Sequence, residues 1–358
     1  MNSVARISRI LLIGGVALVL NILFLWYISG DIYHAITQAH GHVGYNVYNH
    51  SSFWLSPSLS SYIRDHHTGT TMMSYTQVQT MTFDQPSQAF PVNDTIGYGV
   101  LLGLVWKITH SLDVKDVQIL QIILYLISLV IIYQIALLFF GSTTTAWWCT
   151  GAHLLFFPLI ALNVQAVRDV WAYYGIVVLI WAVARWLYTK KSWCTLIGAS
   201  SWFALCQWIR PTLFLALITV SIVLIVFAVI HKYKWRHLLP CIAVLVGTNV
   251  VLFWLPFMAH NLRAYNRLFV GPVGQDLLEG LGEFDNPWGY ELNDEFVAHY
   301  IGKKYHVRYG TPEFDDMAKK EFMLAYQQYP ALYWRNIVKR VPTLLLPGLP
   351  WLFPKHSP

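Results

Sequence analysis

Charged residues are scarce in this chain. Only 12% of its 358 residues are Asp, Glu, Lys or Arg, whereas 56% are hydrophobic, and the mean hydropathy is +0.46. An ordinary soluble domain carries about 25% charged residues, so this chain has too little charge to cover a soluble surface. The composition excludes a soluble enzyme and predicts an all-α polytopic membrane protein. Its 16 Trp and 21 Tyr suit aromatic belts at two water interfaces.

Several motifs are absent as well. The sequence has no Gly-rich phosphate loop, no internal repeat and no HExxH metal motif. The four cysteines lie within or beside apolar stretches, so we expect no disulfide framework. The net charge of +6 would suit a nucleic-acid partner, but the position of the charges matters more than their sum, and we expect no nucleic-acid binding.

Apolar runs long enough to cross a membrane recur along the chain. A spanning helix needs about 20 apolar residues, and on this criterion we expect about seven or eight transmembrane helices, the first a retained anchor. The shorter run 96–110 suits an interfacial helix, and the Pro-interrupted run 341–353 is a weaker eighth span. The seven clear candidates are 8–29, 117–140, 144–163, 170–188, 193–209, 211–231 and 238–258.

The basic residues orient these spans. Arg6 and Arg9 precede the first span, which predicts a cytoplasmic N-terminus. If 96–110 does not cross, the inner side holds nine basic residues and no acid. The predicted units are a transmembrane bundle over 1–258, which includes an outer loop over 30–95, an outer-face domain over 259–340, and a short hydrophobic segment with a tail over 341–358.

Three places in the sequence combine ionisable residues with an outer membrane interface. Asp31 directly follows the first span, where a carboxylate can act as a base on a substrate or as a helix N-cap. Arg168 and Asp169 lie at the mouth of two spans, either as functional groups or as a mutual ion pair with an N-cap. Arg210, in a minimal turn before Pro211, can bind phosphate through its fork of donors or extend to lipid headgroups.

The first outer loop is rich in histidine. Asp65, His66 and His67 are weak candidates for a divalent metal site, but solvated loop histidines are the favoured interpretation. The metal requirement stays open.

Taken in order, these features resemble the GT-C superfamily of polytopic glycosyltransferases, in particular the bacterial branch of the aminoarabinose transferase and the protein O-mannosyltransferase-like enzymes. Asp31 with Tyr33 is similar to the acidic first-loop motif of that family, and Arg168-Asp169 to its second acidic pair. Segment 94–129 looks like its Gly-Tyr-Pro segment, although Gly99 stands where Pro is usual. Ile209-Arg210-Pro211-Thr212 looks like the Arg-Pro turn of the family. Segment 255–289 resembles its Arg-Asn–x–Gly–Gly–Asn region, with the order locally altered to Asn261-Leu262-Arg263.

The resemblance implies transfer of a hexosyl or pentosyl group, with inversion, from a polyprenyl-phosphate-linked donor. The acceptor would be an outer-face glycan, lipid or protein. It further implies that Asp31 is the general base and that Asp169 orients the sugar or acceptor, or holds a metal. The residues implied in donor-phosphate binding are Arg210, Arg263, Lys107 and Arg168, and those implied in substrate binding are Tyr33, Arg64 and Tyr98.

Two other functions remain open at this point. A transporter or flippase for lipid-linked saccharides could use the same groove without chemistry, although transporters often carry inverted repeats and mid-membrane charges. A non-catalytic assembly subunit could retain a shortened fold of the same family. Sugar transfer by the purified protein separates the enzyme from both.

Overall fold

The computed structural model describes residues 3–28, 38–50, 96–164, 167–188, 192–230, 235–269, 271, 273–307, 309 and 311–345. These residues are 85% helical and include no strand, which confirms the all-α class. The helices in chain order are α1 Ser3–Ile28, α2 Gln38–His50, α3 Ile96–Thr109, α4 Val114–Phe140, α5 Thr143–Leu154, α6 Phe157–Val164, α7 Asp169–Tyr188, α8 Trp193–Ile209, α9 Phe214–Ile230, α10 Trp235–Asn249, α11 Leu255–Tyr265, α12 Val273–Glu279, α13 Asp294–Tyr305, α14 Pro312–Gln328 and α15 Pro330–Leu345.

Within the described residues, three helices are long and apolar enough to cross a membrane. They are Val114–Phe140, Asp169–Tyr188 and the continuous run Leu238–Arg263, in which a π-helical turn over Val250–Trp254 joins α10 to α11. These helices indicate a membrane protein. Three further apolar helices are shorter: Leu12–Trp26, Gly97–Thr109 and Phe214–Val226.

The predicted bundle of seven to eight GT-C-like spans is not confirmed. The predicted span 144–163 consists of two helices, α5 with 12 residues and α6 with 8. Pro158 explains the break, because a proline lacks the amide donor of a helix interior and fits only the first turn. Helices α8 and α9 have 17 residues each, slightly fewer than the roughly 20 that a perpendicular span needs.

Local capping signals set the helix boundaries. Asp113 caps α4 by accepting a hydrogen bond from the Lys115 amide at 2.9 Å, as expected for an N-cap aspartate. Gly141 ends α4 in the left-handed conformation, which favours glycine. Ser142 and Ser192 cap α5 and α8 in the same way as Asp113.

Hydrogen bonds between side chains show how neighbouring helices run. Tyr173 and Trp181 of α7 donate hydrogen bonds to Ser128 and Gln134 of α4 at 3.0 and 2.8 Å. Because the contacts advance along both helices in the same direction, α4 and α7 run parallel. Helices α5 and α6, which lie between them in sequence, run in the opposite direction. Ser200 and Trp208 of α8 donate to the carbonyls of Leu245 and Leu252 at 3.3 and 2.9 Å, so α8 runs parallel to α10 and to the π-helical turn that follows it.

The chain after α11 forms a second, smaller helical unit. Helices α12 to α15 surround their own core, which includes Leu278, Ile301, Phe314 and Phe322. The domain boundary predicted at residue 259 falls inside α11, which continues to Tyr265.

Candidate functional site

One end of the bundle brings together segments that are far apart in sequence. The side-chain amide of Gln118, near the start of α4, donates to the carbonyl of Val164 at 2.7 Å, and that of Gln121 donates to the carbonyl of Val167 at 3.2 Å. The start of α4 therefore lies beside the loop that leads into α7. This loop ends with Arg168, and α7 begins at Asp169; both are predicted site residues.

An ion pair joins this loop to the end of α8. The Nε of Arg210 lies 2.9 Å from Oδ1 of Asp169, and the two side chains are 26% and 52% exposed. The sequence predicted both residues as candidates but did not pair them with each other. The structural alternative for Asp169 was an ion pair with Arg168, whereas the structure gives it Arg210.

The chain around each partner explains the position of the pair. Pro211 disfavours helical geometry at the residue before it, so α8 ends at Ile209 and Arg210 adopts an extended conformation. A short 3-10 turn over Pro211–Leu213 then leads into α9. Asp169 lies in the first turn of α7, where a carboxylate interacts favourably with the helix dipole.

Tyr98 lies beside the pair but is not open to solvent. Its side chain is completely buried in the bundle core, and it feels the charges of both Arg168 and Asp169. The assignment of Tyr98 to substrate binding stays a prediction, and in this structure packing in the core covers its ring.

Gly97 fixes the approach of α3 to this site. A Cβ atom at Gly97 would overlap the backbone carbonyl of Trp208 in α8. Only a glycine therefore allows α3 and the end of α8 to pack this closely. At the other side of α3, Gly103 faces Gly44 and Val47 of α2 with similar closeness.

An apolar cavity of about 520 Å³ lies between α3, α7, α8 and α11. This volume is within the roughly 300–1,000 Å³ of small-molecule sites. The cavity is lined by Gly97, Val100, Leu101, Leu104, Trp171, Trp202, Leu205, Cys206, Trp208, Ile209, Pro256 and His260. Its surface is almost entirely hydrocarbon and aromatic.

The charged residues lie next to the lining of this cavity. Ile209 precedes Arg210, and Trp171 follows Asp169 by two positions, so the ion pair stands at one edge of the cavity. On the α11 side, the cavity is lined by His260, which feels the charge of Arg263 one turn further along. The cavity therefore has a hydrocarbon interior and an edge that carries cations.

The remaining predicted site residues lie elsewhere. Lys107 is in the last turn of α3, ten residues from Gly97, or about 15 Å along a helix axis, so the structure separates it from the ion pair. The residues Asp31, Tyr33, Arg64, Asp65, His66 and His67 lie outside the described residues. Among the residues that the structure does describe, there is no cluster of three metal-binding side chains.

Neutral polar residues near the same end were missed in the sequence. The amide of Asn163 donates to Asn21 of α1 at 2.8 Å, and the hydroxyl of Tyr174 donates to the Gln121 carbonyl at 2.8 Å and to Asn163. These side chains cross-link α1, α4, α6 and α7 inside the bundle. The available signal was an isolated amide residue in an apolar span, such as Gln118 or Gln121, because such residues usually bind a neighbouring helix.

Comparison with models of protein families, with characterised proteins and with solved structures gives no match to this chain. The functional argument therefore depends on the residues and on their geometry.

Proposed function

We propose that this protein is an inverting glycosyltransferase that uses a polyprenyl-phosphate-linked sugar as its donor. The observation that carries the proposal is the Arg210–Asp169 ion pair at the edge of the 520 Å³ apolar cavity. A long apolar chain with an anionic head matches both parts of that arrangement. The ordered resemblance of the sequence to GT-C enzymes, which includes these two residues, supports the same conclusion.

The apolar cavity would hold the first part of the prenyl chain. Its aromatic lining, from Trp171, Trp202 and Trp208, offers large apolar contact area to an unsaturated hydrocarbon. The rest of the chain would extend into the surrounding lipid. The phosphate would then lie at the cavity edge, within reach of the guanidinium groups of Arg210 and Arg263.

The cations would help the leaving group to depart. As the bond between the anomeric carbon and the phosphate oxygen breaks, negative charge develops on the phosphate, and a fixed guanidinium stabilises that charge. The acceptor hydroxyl oxygen forms the new bond on the opposite face of the sugar, which inverts the anomeric centre. The hydroxyl proton passes to Asp31, and polyprenyl phosphate is released.

The Asp169 carboxylate has two roles in this proposal. It positions the Arg210 guanidinium before the donor arrives, and it faces the sugar or acceptor once phosphate takes part of the guanidinium's donor set. Arg168 adds positive charge to the same loop. The need for a divalent metal stays open, and the sequence candidates for it are Asp65, His66 and His67.

The proposed membrane arrangement is multi-pass, with a cytoplasmic N-terminus in a bacterial inner or plasma membrane. The alternating directions of α4 to α10 support it, because they bring Arg168, Asp169 and Arg210 to one end of the bundle. In the sequence, the basic segments 189–191 and 231–234 directly follow α7 and α9, and the positive-inside rule favours an inner location for such segments. The sugar would therefore be transferred at the outer face.

Substitution of Arg210 tests this proposal. The full chain is reconstituted with tritiated sugar on undecaprenyl phosphate and with an envelope extract as acceptor, and donor binding is followed by the fluorescence of the tryptophans at the cavity. Hydrogen bonds to charged groups contribute about 1.5–3 kcal/mol, so Arg210→Ala should raise the donor Kd by about 10- to 100-fold. Arg210→Lys should have a smaller effect, because it keeps the charge but loses the fork.

Arg185 provides the matched control. It is a basic residue at the opposite end of α7, where its guanidinium lies 5.4 Å from the centre of the Trp181 ring. Arg185→Ala should leave donor binding unchanged. Wild-type binding by Arg210→Ala would refute the phosphate role, and binding without any sugar transfer by the wild-type protein would favour the flippase or the assembly subunit.

A further inference from the structure

The last described helix, α15, has an apolar stripe that the described chain leaves uncovered. Trp334 and Val338 are 57% and 67% exposed, and their spacing of four residues places them on one helix face. The opposite face packs on the domain, where Asn336 is buried and Arg340 binds Glu283 and the Gly280 carbonyl. The stripe therefore points away from the core of its own domain.

Basic residues border this stripe. Arg335 and Lys339 each follow a stripe residue by one position, and both are exposed. Helix α15 contains three basic residues and no acidic residue, whereas the neighbouring α14 contains four acidic and two basic residues. Positive charge is therefore concentrated on the one helix of this pair that also exposes a tryptophan stripe.

The domain is joined directly to the membrane bundle. Its first segment follows the span that ends at Arg263, and the 65% exposed ring of Phe269 lies 6.2 Å from the Trp254 ring of that span. Arg267 then binds Asp316 at 2.6 Å and Glu313 at 3.6 Å, which ties this segment to the start of α14. The apolar run over 341–353 begins within the last turns of α15 and continues past Leu345 in the sequence.

We propose that α15 lies on the membrane surface. The Trp334–Val338 stripe enters the boundary between headgroups and acyl chains, and Arg335 and Lys339 contact anionic headgroups. An amphipathic helix with tryptophan on its apolar face and basic residues beside it has the composition of an interfacial helix. The charge pattern favours an anionic lipid surface as the occupant of this face, and the inference does not depend on the proposed enzyme activity.

A spin label at position 338 tests the location of the stripe. The full-length protein, with Val338→Cys and with Cys149 and Cys194 replaced by Ser, is placed at one copy per lipid nanodisc of phosphatidylglycerol and phosphatidylcholine. Because oxygen concentrates in lipid and a charged nickel complex concentrates in water, their collision rates with the label report its depth. We expect a higher ratio of oxygen to nickel collisions at 338 than at Lys303→Cys, an exposed control position on α13 of the same domain.

Equal ratios at positions 338 and 303 would overturn the proposal. So would protection of position 338 from both reagents, because this result means that protein covers the stripe. With one copy per disc, a second copy cannot provide that cover. A contact between copies would give a different result: neighbouring labels would broaden the spectrum of the label in crowded vesicles, and the label would be exposed to nickel in single-copy discs. This result would also reject the lipid surface.

Removal of the basic residues tests the headgroup contact. In discs with phosphatidylglycerol, Arg335→Gln with Lys339→Gln should lower the collision ratio at position 338 toward that of the control position. Lys303→Gln, which removes a basic residue elsewhere in the domain, should leave the collision ratio at position 338 unchanged. An unchanged ratio in the double variant, or an equal ratio for the unsubstituted chain in pure phosphatidylcholine, would refute the role of anionic headgroups.

Discussion

The membrane bundle and the helical domain after α11 hold their polar groups in opposite ways. Inside the bundle, helices are cross-linked by neutral side chains such as Gln118, Asn163 and Tyr174. In the domain, carboxylates themselves are buried: Glu321 is 4% and Asp315 is 7% exposed at the side chain, and each has a lysine partner. The bundle instead places its carboxylate–guanidinium pair, Asp169 with Arg210, at its edge.

The difference follows from the solvent around each region. A helix in lipid has no water to stabilise a charge, so interior contacts use amide and hydroxyl groups. The domain can bury a carboxylate because lysine reaches it from a surface where the ammonium group remains hydrated. The Asp169–Arg210 pair of the bundle is thus partly exposed at an edge, whereas the buried carboxylates of the domain stabilise its own fold.

The largest expected effect concerns Asp31. If sugar transfer takes place at the end of the bundle that holds the Asp169–Arg210 pair, Asp31→Asn should lower the transfer rate by about 10²–10⁴-fold, the usual contribution of a general base. Donor binding should persist. Asp285→Asn, which changes an exposed acid of the domain, should leave transfer unchanged. Rates are measured with labelled donor at saturation, and a near-normal rate for well-folded Asp31→Asn would make Asp169 the better candidate for the base.

An intermediate effect is expected when the cavity is filled. Leu205 lines the cavity and is 56% exposed, while Leu215 of α9 is 57% exposed and does not line it. Because one methylene in an apolar pocket is worth about 1–3 kcal/mol, Leu205→Trp should weaken donor binding by about tenfold or more. Equal donor Kd values for Leu205→Trp and Leu215→Trp would show that the prenyl chain binds elsewhere.

The smallest effect concerns the domain and should be visible in stability alone. Burial acts to raise the pKa of Glu321, but hydrogen bonds from Lys304, Tyr305 and Tyr300 outweigh it, so the pKa is lowered. An ionised Glu321 therefore stabilises the domain above the ordinary carboxyl pKa, and this contribution is lost as pH falls through the lowered pKa. Protection of the α13 and α14 amides from hydrogen exchange, corrected for intrinsic rates, should decrease in that acidic range.

Two substitutions on α14 check this assignment. Glu321→Gln should lose most of the pH dependence and lower the protection at neutral pH. Glu313→Gln should behave like the wild type, because Glu313 is 62% exposed and its partner Arg267 lies 3.6 Å away. Donor binding at the bundle should not change in either variant, and a loss of donor binding in Glu321→Gln would mean that the two regions are coupled.

The sequence predicts the helices of the bundle well where long apolar runs meet clear capping residues. The predicted 170–188 and 193–209 correspond to Asp169–Tyr188 and Trp193–Ile209. The interruption inside 144–163 was missed, because apolar composition alone conceals the effect of Pro158. A single proline can change the number of continuous spans without changing the hydropathy of the segment.

The candidate site was predictable only as separate residues. Asp169 and Arg210 are recognisable because charges at the mouths of apolar helices are costly, but their pairing depends on how α7 and α8 are aligned. The close approach of α3 to the end of α8 depends on Gly97, and no local pattern encodes such a contact between helices. The cavity is likewise a product of packing between four helices.

Each hydrogen bond between bundle helices can form only after both of its partners have been synthesised. Gln118 and Val164 are 46 residues apart, Gln134 and Trp181 are 47 apart, and Ser200 and Leu245 are 45 apart. At a translation rate of about 5–20 residues per second, each earlier helix waits roughly 2–10 s before its partner has been made. During that interval its amide or hydroxyl group needs another hydrogen-bond partner, from water, lipid headgroups or the insertion machinery. The rate of translation therefore limits how early these contacts of the bundle can form.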